Sequence, residues 1–157
     1  MTSTPEPGAQ PNAADLRERT LRLLARRERS RFELARKLEQ TGFAASDVHL
    51  LLDEFEEKNW LSDRRFAESY VADHRTRAGS VKLAYDLRQR GVRDDVIEAV
   101  LGDNRDSETE RARDVWKKKF GAPPADAAEK AKQIRFMQSR GFTPEVIRRA
   151  IDGSDDY

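Results

Sequence analysis

Apolar positions along this chain recur in a phrase that is written three times. It reads LEQTGFAASDVHLLL around Gly42, LRQRGVRDDVIEAVL around Gly91 and MQSRGFTPEVIRRAI around Gly141. The glycines are spaced by 49 and then 50 residues. An apolar residue stands four before each (Leu38, Leu87, Met137) and another directly after (Phe43, Val92, Phe142). An apolar pair closes each phrase: Leu51 and Leu52, Val100 and Leu101, Ala150 and Ile151. A period of this length is the mark of one supersecondary unit stacked on copies of itself.

Each phrase predicts a helix, a stop and a second helix. Glycine supplies the left-handed residue just past a helix C-terminus. Fresh start signals follow at Ser46, at Asp94 or Asp95, and at Thr143 with Pro144 behind it. The next stretch then takes helical spacing, as Val48, Leu51, Leu52 and Phe55 do. A third helix precedes each phrase. Residues 14–28 carry Leu16, Leu23 and Leu24; 63–77 carry Phe66, Tyr70 and Val71 behind Ser62; 107–120 carry Ala112, Val115, Trp116 and Phe120. Ser30 with Glu33, and Ser107 with Glu110, read as capping boxes. The expectation is an all-α protein: an elongated array of three tandem three-helix repeats, about nine helices, over 14–57, 62–102 and 106–153.

Composition supports helices over strands. No run of alternating β-branched residues occurs, and proline is confined to the first dozen residues, Pro123–Pro124 and Pro144. Residues 1–13 are polar and proline-rich and read as a disordered tail, with a second short tail at 154–157. Neither a secretory leader nor a membrane-length apolar stretch is recognisable, and cysteine is absent, which fits a cytoplasmic protein. Charged residues make up 38% of the chain and apolar ones 37%, so much surface is expected to face water.

The net charge of +1 hides an alternation. Residues 15–41 sum to +4, 44–70 to −4, 71–93 to +4, 94–114 to −5 and 115–149 to +6. Stacking would align the basic helices into one stripe and the acidic ones into another. The alternative is that these charges form intramolecular pairs on solvated faces.

Chemistry is not signalled. His49 and His74 lack cysteine or paired carboxylates at ligand spacing, and both are expected at exposed helix positions. No glycine-rich phosphate loop occurs. The spacing of Phe66, Tyr70, Trp116 and Phe120 makes them core rather than a stacking platform. Trp60 beside Leu61 reads as an interhelical plug. No enzyme activity, cofactor or metal is expected.

The segments SRFELARKLEQTGF, LSDRRFAESYV, LRQRGV and AKQIRFMQSRGFTPEVIRRAI resemble the RecX regulatory proteins of bacteria over about residues 16–152. Asp63, Arg65, Phe66, Ala67 and Tyr70 carry the most specific match, with the KFG at Lys119–Gly121 and the QxRF run at Gln133–Phe136 beside it. Asn59 stands where many members have glycine, and Leu83-Ala84-Tyr85 replaces a commoner basic-Ile segment. The resemblance implies a non-enzymatic modulator of the RecA recombinase, acting in DNA repair and the SOS response. Such a protein would lie along the RecA–DNA filament and suppress its ATPase, strand-exchange and co-protease activities.

The expected partner-binding residues are the cations before the second and third glycines. They are Arg75, Arg77, Lys82, Arg88 and Arg90, then Lys117, Lys118, Lys130, Lys132, Arg135 and Arg140. The partner expected is the RecA filament, with room for a weak DNA contact, no membrane, and the chain itself a monomer. Two other classes fit the same residues: a helix-turn-helix nucleic-acid module and a general solenoid adaptor. The acidic helices after the first two glycines argue against the first of these.

Overall fold

The computed structural model describes residues 12–102 and 107–153, and every regular element within them is a helix. The helices are α1 (Ala13–Arg26), α2 (Arg31–Gln40), α3 (Ala45–Glu57), α4 (Asp63–His74), α5 (Ser80–Gln89), α6 (Asp94–Gly102), α7 (Glu108–Lys119), α8 (Ala127–Ser139) and α9 (Pro144–Asp152). Nine helices and no strand are present among the described residues, grouped as three tandem three-helix repeats. The chain gathers into two compact units that divide inside α4, after Phe66. Of the tails expected at 1–13 and 154–157, residues 1–11 and 154–157 lie outside the described residues; Asn12 and Ala13 instead belong to the start of α1, which Asn12 caps by accepting the Asp15 N–H.

The repeated glycines explain the repeated phrase. Gly42, Gly91 and Gly141 have φ of 103°, 78° and 85°, in the region that side chains avoid. At each, the amide after the glycine reaches back to the carbonyl five residues earlier: Phe43 to Leu38, Val92 to Leu87, Phe142 to Met137. The glycine amides themselves reach Glu39, Arg88 and Gln138. This is the Schellman stop, which brings together the two apolar residues that flank the turn. All six of those flanking side chains are buried.

In the first unit α1 buries Leu16, Thr20 and Leu23, α2 buries Leu34, Ala35 and Leu38, and α3 buries Val48, Leu52 and Phe55. These join Phe43 and Leu61 in one core. Ser30 caps α2 by accepting the Glu33 N–H, as the capping box predicts. Ser46 does not start α3. The helix begins at Ala45 behind Ala44, which has no side-chain acceptor, because the Schellman turn has already set the chain direction. Trp60 is 45% exposed and Leu61 only 2%, so the plug at this junction is Leu61. Asn59 adopts φ 60°, the conformation for which Asn is the best-tolerated substitute for glycine. The Arg65 guanidinium donates to its carbonyl and to its Oδ1, at 2.7 and 3.2 Å.

In the second unit α7 packs chiefly on α9. Ala112, Trp116, Met137, Phe142, Ile147, Ala150 and Ile151 form a core there, with Phe120 and Phe136 at its edge. The Trp116 indole donates to Gln133, and Gln133 donates to the Ala122 carbonyl, so a buried amide satisfies a buried indole. Thr143 caps α9 with Pro144 behind it, as expected. Ser107 makes no such cap: its φ and ψ of −97° and −1° are not the extended values that aim a capping hydroxyl at the helix. His74 is half-buried rather than exposed, its ring stacked 3.9 Å from Tyr70.

A close backbone joint sits inside this unit. The Gly79 N–H donates to the Arg140 carbonyl at 2.8 Å and the Val81 N–H to the Gly141 carbonyl at 3.0 Å. Between them the Ser80 N–H donates to the buried carboxylate of Glu108. The free amides of the α5 N-terminus are thus met by the free carbonyls of the α8 C-terminus and by one acid, which suits both helix dipoles. A Cβ on Gly141 would stand 2.2 Å from that of Lys82, and one on Gly79 would stand 2.5 Å from the Gly141 oxygen.

Candidate partner-binding surface

Of the predicted cations, Arg77, Lys118 and Arg140 meet in one cleft of the second unit. Thr76 and Arg77 reach it from the loop after α4, Val115, Lys118 and Lys119 from α7, and Phe136 and Arg140 from the end of α8. Its volume is about 440 Å3. Phe136 forms the floor, held edge-on by Phe120 at 5.4 Å and 89°. The Lys119 ammonium and the Arg140 guanidinium each lie 5.2 Å from the Phe136 ring centre. A ring face attracts cations without neutralising them, so both keep their full charge toward the cleft. None of Arg77, Lys118, Lys119 and Arg140 has an ion pair among the described residues. The lining holds no carboxylate, histidine or thiol, so its chemistry is that of anion contact.

The remaining predicted residues are dispersed. Arg88 pairs with Asp94 at 2.7 Å, as the intramolecular alternative requires. Asp95 and Glu145 take Arg93 and Arg149 instead. Arg90 lies 4.6 Å over the Tyr70 ring and donates to the Asp86 carbonyl. The carbonyl of Arg75 accepts from the buried Arg111. Burial lowers the Arg111 pKa, and nearby Glu108 pulls it back up. Lys82 spends its first carbons against Gly141. Lys130 shares with Arg148 the rim of a separate apolar depression over Ile134, Ile147 and Ile151. Lys117, Lys132 and Arg135 are exposed on α7 and α8.

Lys119 was absent from the sequence expectation, although a helical signal for it exists. Lys118 and Lys119 stand three and four residues after Val115 and share its face, whereas Lys117 at two residues cannot.

The motif residues of 62–71 have structural tasks. In the first unit Asp63 accepts the Arg31 N–H and Arg65 pairs with Glu28, which ties the start of α4 to the α1–α2 turn. In the second, the Tyr70 hydroxyl donates to Asp86. No group of three or more acidic or histidine residues is placed to hold a metal among the described residues. No helix among them is long and apolar enough to cross a membrane.

The fold defines a class: tandem three-helix repeats, here with a cationic cleft in the second unit. Models of the first, second and third three-helix domains of RecX match residues 17–55, 62–101 and 106–151. The chain belongs to the RecX family. It is 46% identical over 140 residues to the regulatory protein RecX of Ralstonia nicotianae, covering 89% of this chain and 88% of that one. It is 44% identical to that of Chromobacterium violaceum, covering 90% and 91%. The crystal structure of RecX from Lactobacillus salivarius shares the fold, with a TM-score of 0.79 at 19% identity over 90% of this chain and 95% of that one.

Proposed function

We propose that this protein is a cytoplasmic regulator that binds the RecA–DNA filament and restrains its ATPase, recombinase and co-protease activities in DNA repair and the SOS response. The observation that carries the reading is the cleft of Arg77, Lys118, Lys119 and Arg140, whose charges are left unneutralised on a chain of the RecX family. Four such cations in one concavity repel one another and favour an anionic partner surface. Repeats spaced by about fifty residues suit a partner that itself repeats.

The test is sedimentation with preformed RecA filaments together with RecA ATPase, each at two salt concentrations. Co-sedimentation and inhibition that weaken as salt rises are expected. Failure of the chain to join the filament at low salt overturns the reading. Titration with random single- and double-stranded DNA alone separates filament binding from binding of free DNA.

A further inference from the structure

A second cluster of cations lies in the first unit, outside all the residues considered above. Arg19, Arg22 and Arg26 follow one another at three and four residues along the last turns of α1. Lys37 faces them from the last turn of α2, beside Thr41, with Leu23 at the base. Together they line a depression of about 280 Å3. All four cationic residues are exposed. Arg19, Arg26 and Lys37 have no ion pair among the described residues, and Arg22 only a loose one to Glu18 at 3.8 Å. The other long-range cations of this unit are matched: Arg17 to Glu54, Arg31 to Asp53 and Glu56, Arg65 to Glu28. Arg29 and Arg36 of this unit also lack an ion pair among the described residues, but neither lines the depression, so the cluster is where unpaired cations gather around one hollow.

Helix dipoles account for some of this, since Arg26 and Lys37 both stand in a C-terminal turn. They do not account for Arg22 and Arg19, one and two turns earlier. The boundaries of the cluster say what kind of anion fits. One turn before each column stands an acid: Asp15 before Arg19, Glu18 before Arg22, Glu33 before Lys37. A phosphodiester strand running through the depression would have to pass those carboxylates. A short acidic patch that ends inside it would not. Guanidinium forks pair with carboxylates and phosphates alike, and three of the four cations are arginines, so the flanking acids and not the forks favour a short acidic patch.

We propose that this depression receives an acidic segment of a partner protein, one that presents two or more carboxylates within a helical turn. The proposal extends the reading of the chain as a partner-binding regulator. It adds a contact in the first repeat, where the cleft of the second unit provides none.

The experiment uses the full chain labelled with 15N and a hexaglutamate peptide as probe. The side-chain Nε–Hε resonances of Arg19, Arg22 and Arg26 are expected to shift along a saturating isotherm that weakens as salt is raised. In Lys37→Gln the same isotherm should weaken severalfold, about threefold or more for one lost contact. Absence of saturating shifts at α1 overturns the proposal. So does an equal or tighter isotherm with oligothymidylate of matched charge, which would make the ligand a phosphodiester.

The triple variant Arg19→Gln/Arg22→Gln/Arg26→Gln, in which only exposed side chains change, should keep its Tm and bind RecA filaments about tenfold more weakly. Unchanged filament binding by that variant refutes the docking role. If the native chain does not bind filaments but hexaglutamate saturates at α1, the RecA assignment fails and the acidic-segment site stands.

Discussion

Gly42 and Gly141 occupy the same place in the repeat, but they carry different burdens. Both need a positive φ, which costs any other residue about 1–2 kcal/mol. A Cβ on Gly42 would meet nothing within 4 Å, whereas one on Gly141 would meet the backbone of Lys82 at 2.5 Å. Gly42→Ala should therefore cost about 1 kcal/mol, and Gly141→Ala roughly 3 kcal/mol or more as α5 is pushed away. Urea denaturation of both variants checks this; equal losses would show that the joint at Gly141 gives way freely. The positive φ at all three glycines was legible in the sequence, because a helix stop needs a residue of that kind. The crowding at Gly141 was not, because Lys82 lies far from it along the chain and nothing local records the approach.

Two contacts between helices illustrate how elements are fastened. Glu108 is buried and caps the α5 N-terminus from α7. Glu108→Ala leaves the Ser80 amide without its acceptor and removes the charge near Arg111, for an expected cost of roughly 3 kcal/mol. Thermal melting reads the loss, and faster hydrogen exchange at the Ser80 amide locates it. In the first unit Arg17 of α1 bonds Glu54 of α3 and, with Lys58, holds its carboxyl below the ordinary carboxylate range. A lowered pKa in the folded chain gives stability that is present above the ordinary range and lost as pH falls through the lowered value. The carboxylate is solvated, so the effect on stability is small. The titration itself is the sharper measurement. In Arg17→Gln the Glu54 carboxyl, followed by NMR, should titrate at a higher pH than in the native chain. Helix order and the stops between helices were readable from apolar spacing alone. The start of α3 was misread at Ser46, and at α7 Ser107 holds the expected N-cap position without the expected capping bond, since a hydroxyl caps only where backbone geometry aims it.

At the scale of the molecule, the alternation of basic and acidic segments was visible in the sequence, but the sorting of individual cations was not. Arg88 and Arg140 were both expected to face the partner, yet one is paired with Asp94 and the other keeps its charge over Phe136. Pairing depends on which acid the fold delivers within about 4 Å, and spacing along one helix does not specify that. The expected consequence is a separation of effects. Arg77→Glu/Lys118→Glu/Lys119→Glu/Arg140→Glu should strongly reduce inhibition of RecA ATPase while leaving the melt nearly unchanged, because Arg140 supports the joint through its carbonyl and not its side chain. Arg88→Glu should lower stability by up to about 1 kcal/mol and leave inhibition intact. Equal inhibition by both variants at low and high salt would remove the cleft from the interface.

The backbone joint between α5 and α8 also bears on synthesis. Gly79 and Gly141 lie 62 residues apart, so the first turn of α5 is made before its acceptors exist. At the usual speed of translation its amides wait roughly 3 to 12 seconds for the carbonyls of Arg140 and Gly141. The helix stops need no such wait, since each joins residues five apart. A nascent chain therefore acquires its turns one by one as it emerges, while the second unit stays open along α5 until all of α8 and the two residues after it have been added. Ribosome-bound chains halted before residue 141 should protect the Phe43 and Val92 amides from exchange and leave those of Gly79 and Val81 unprotected.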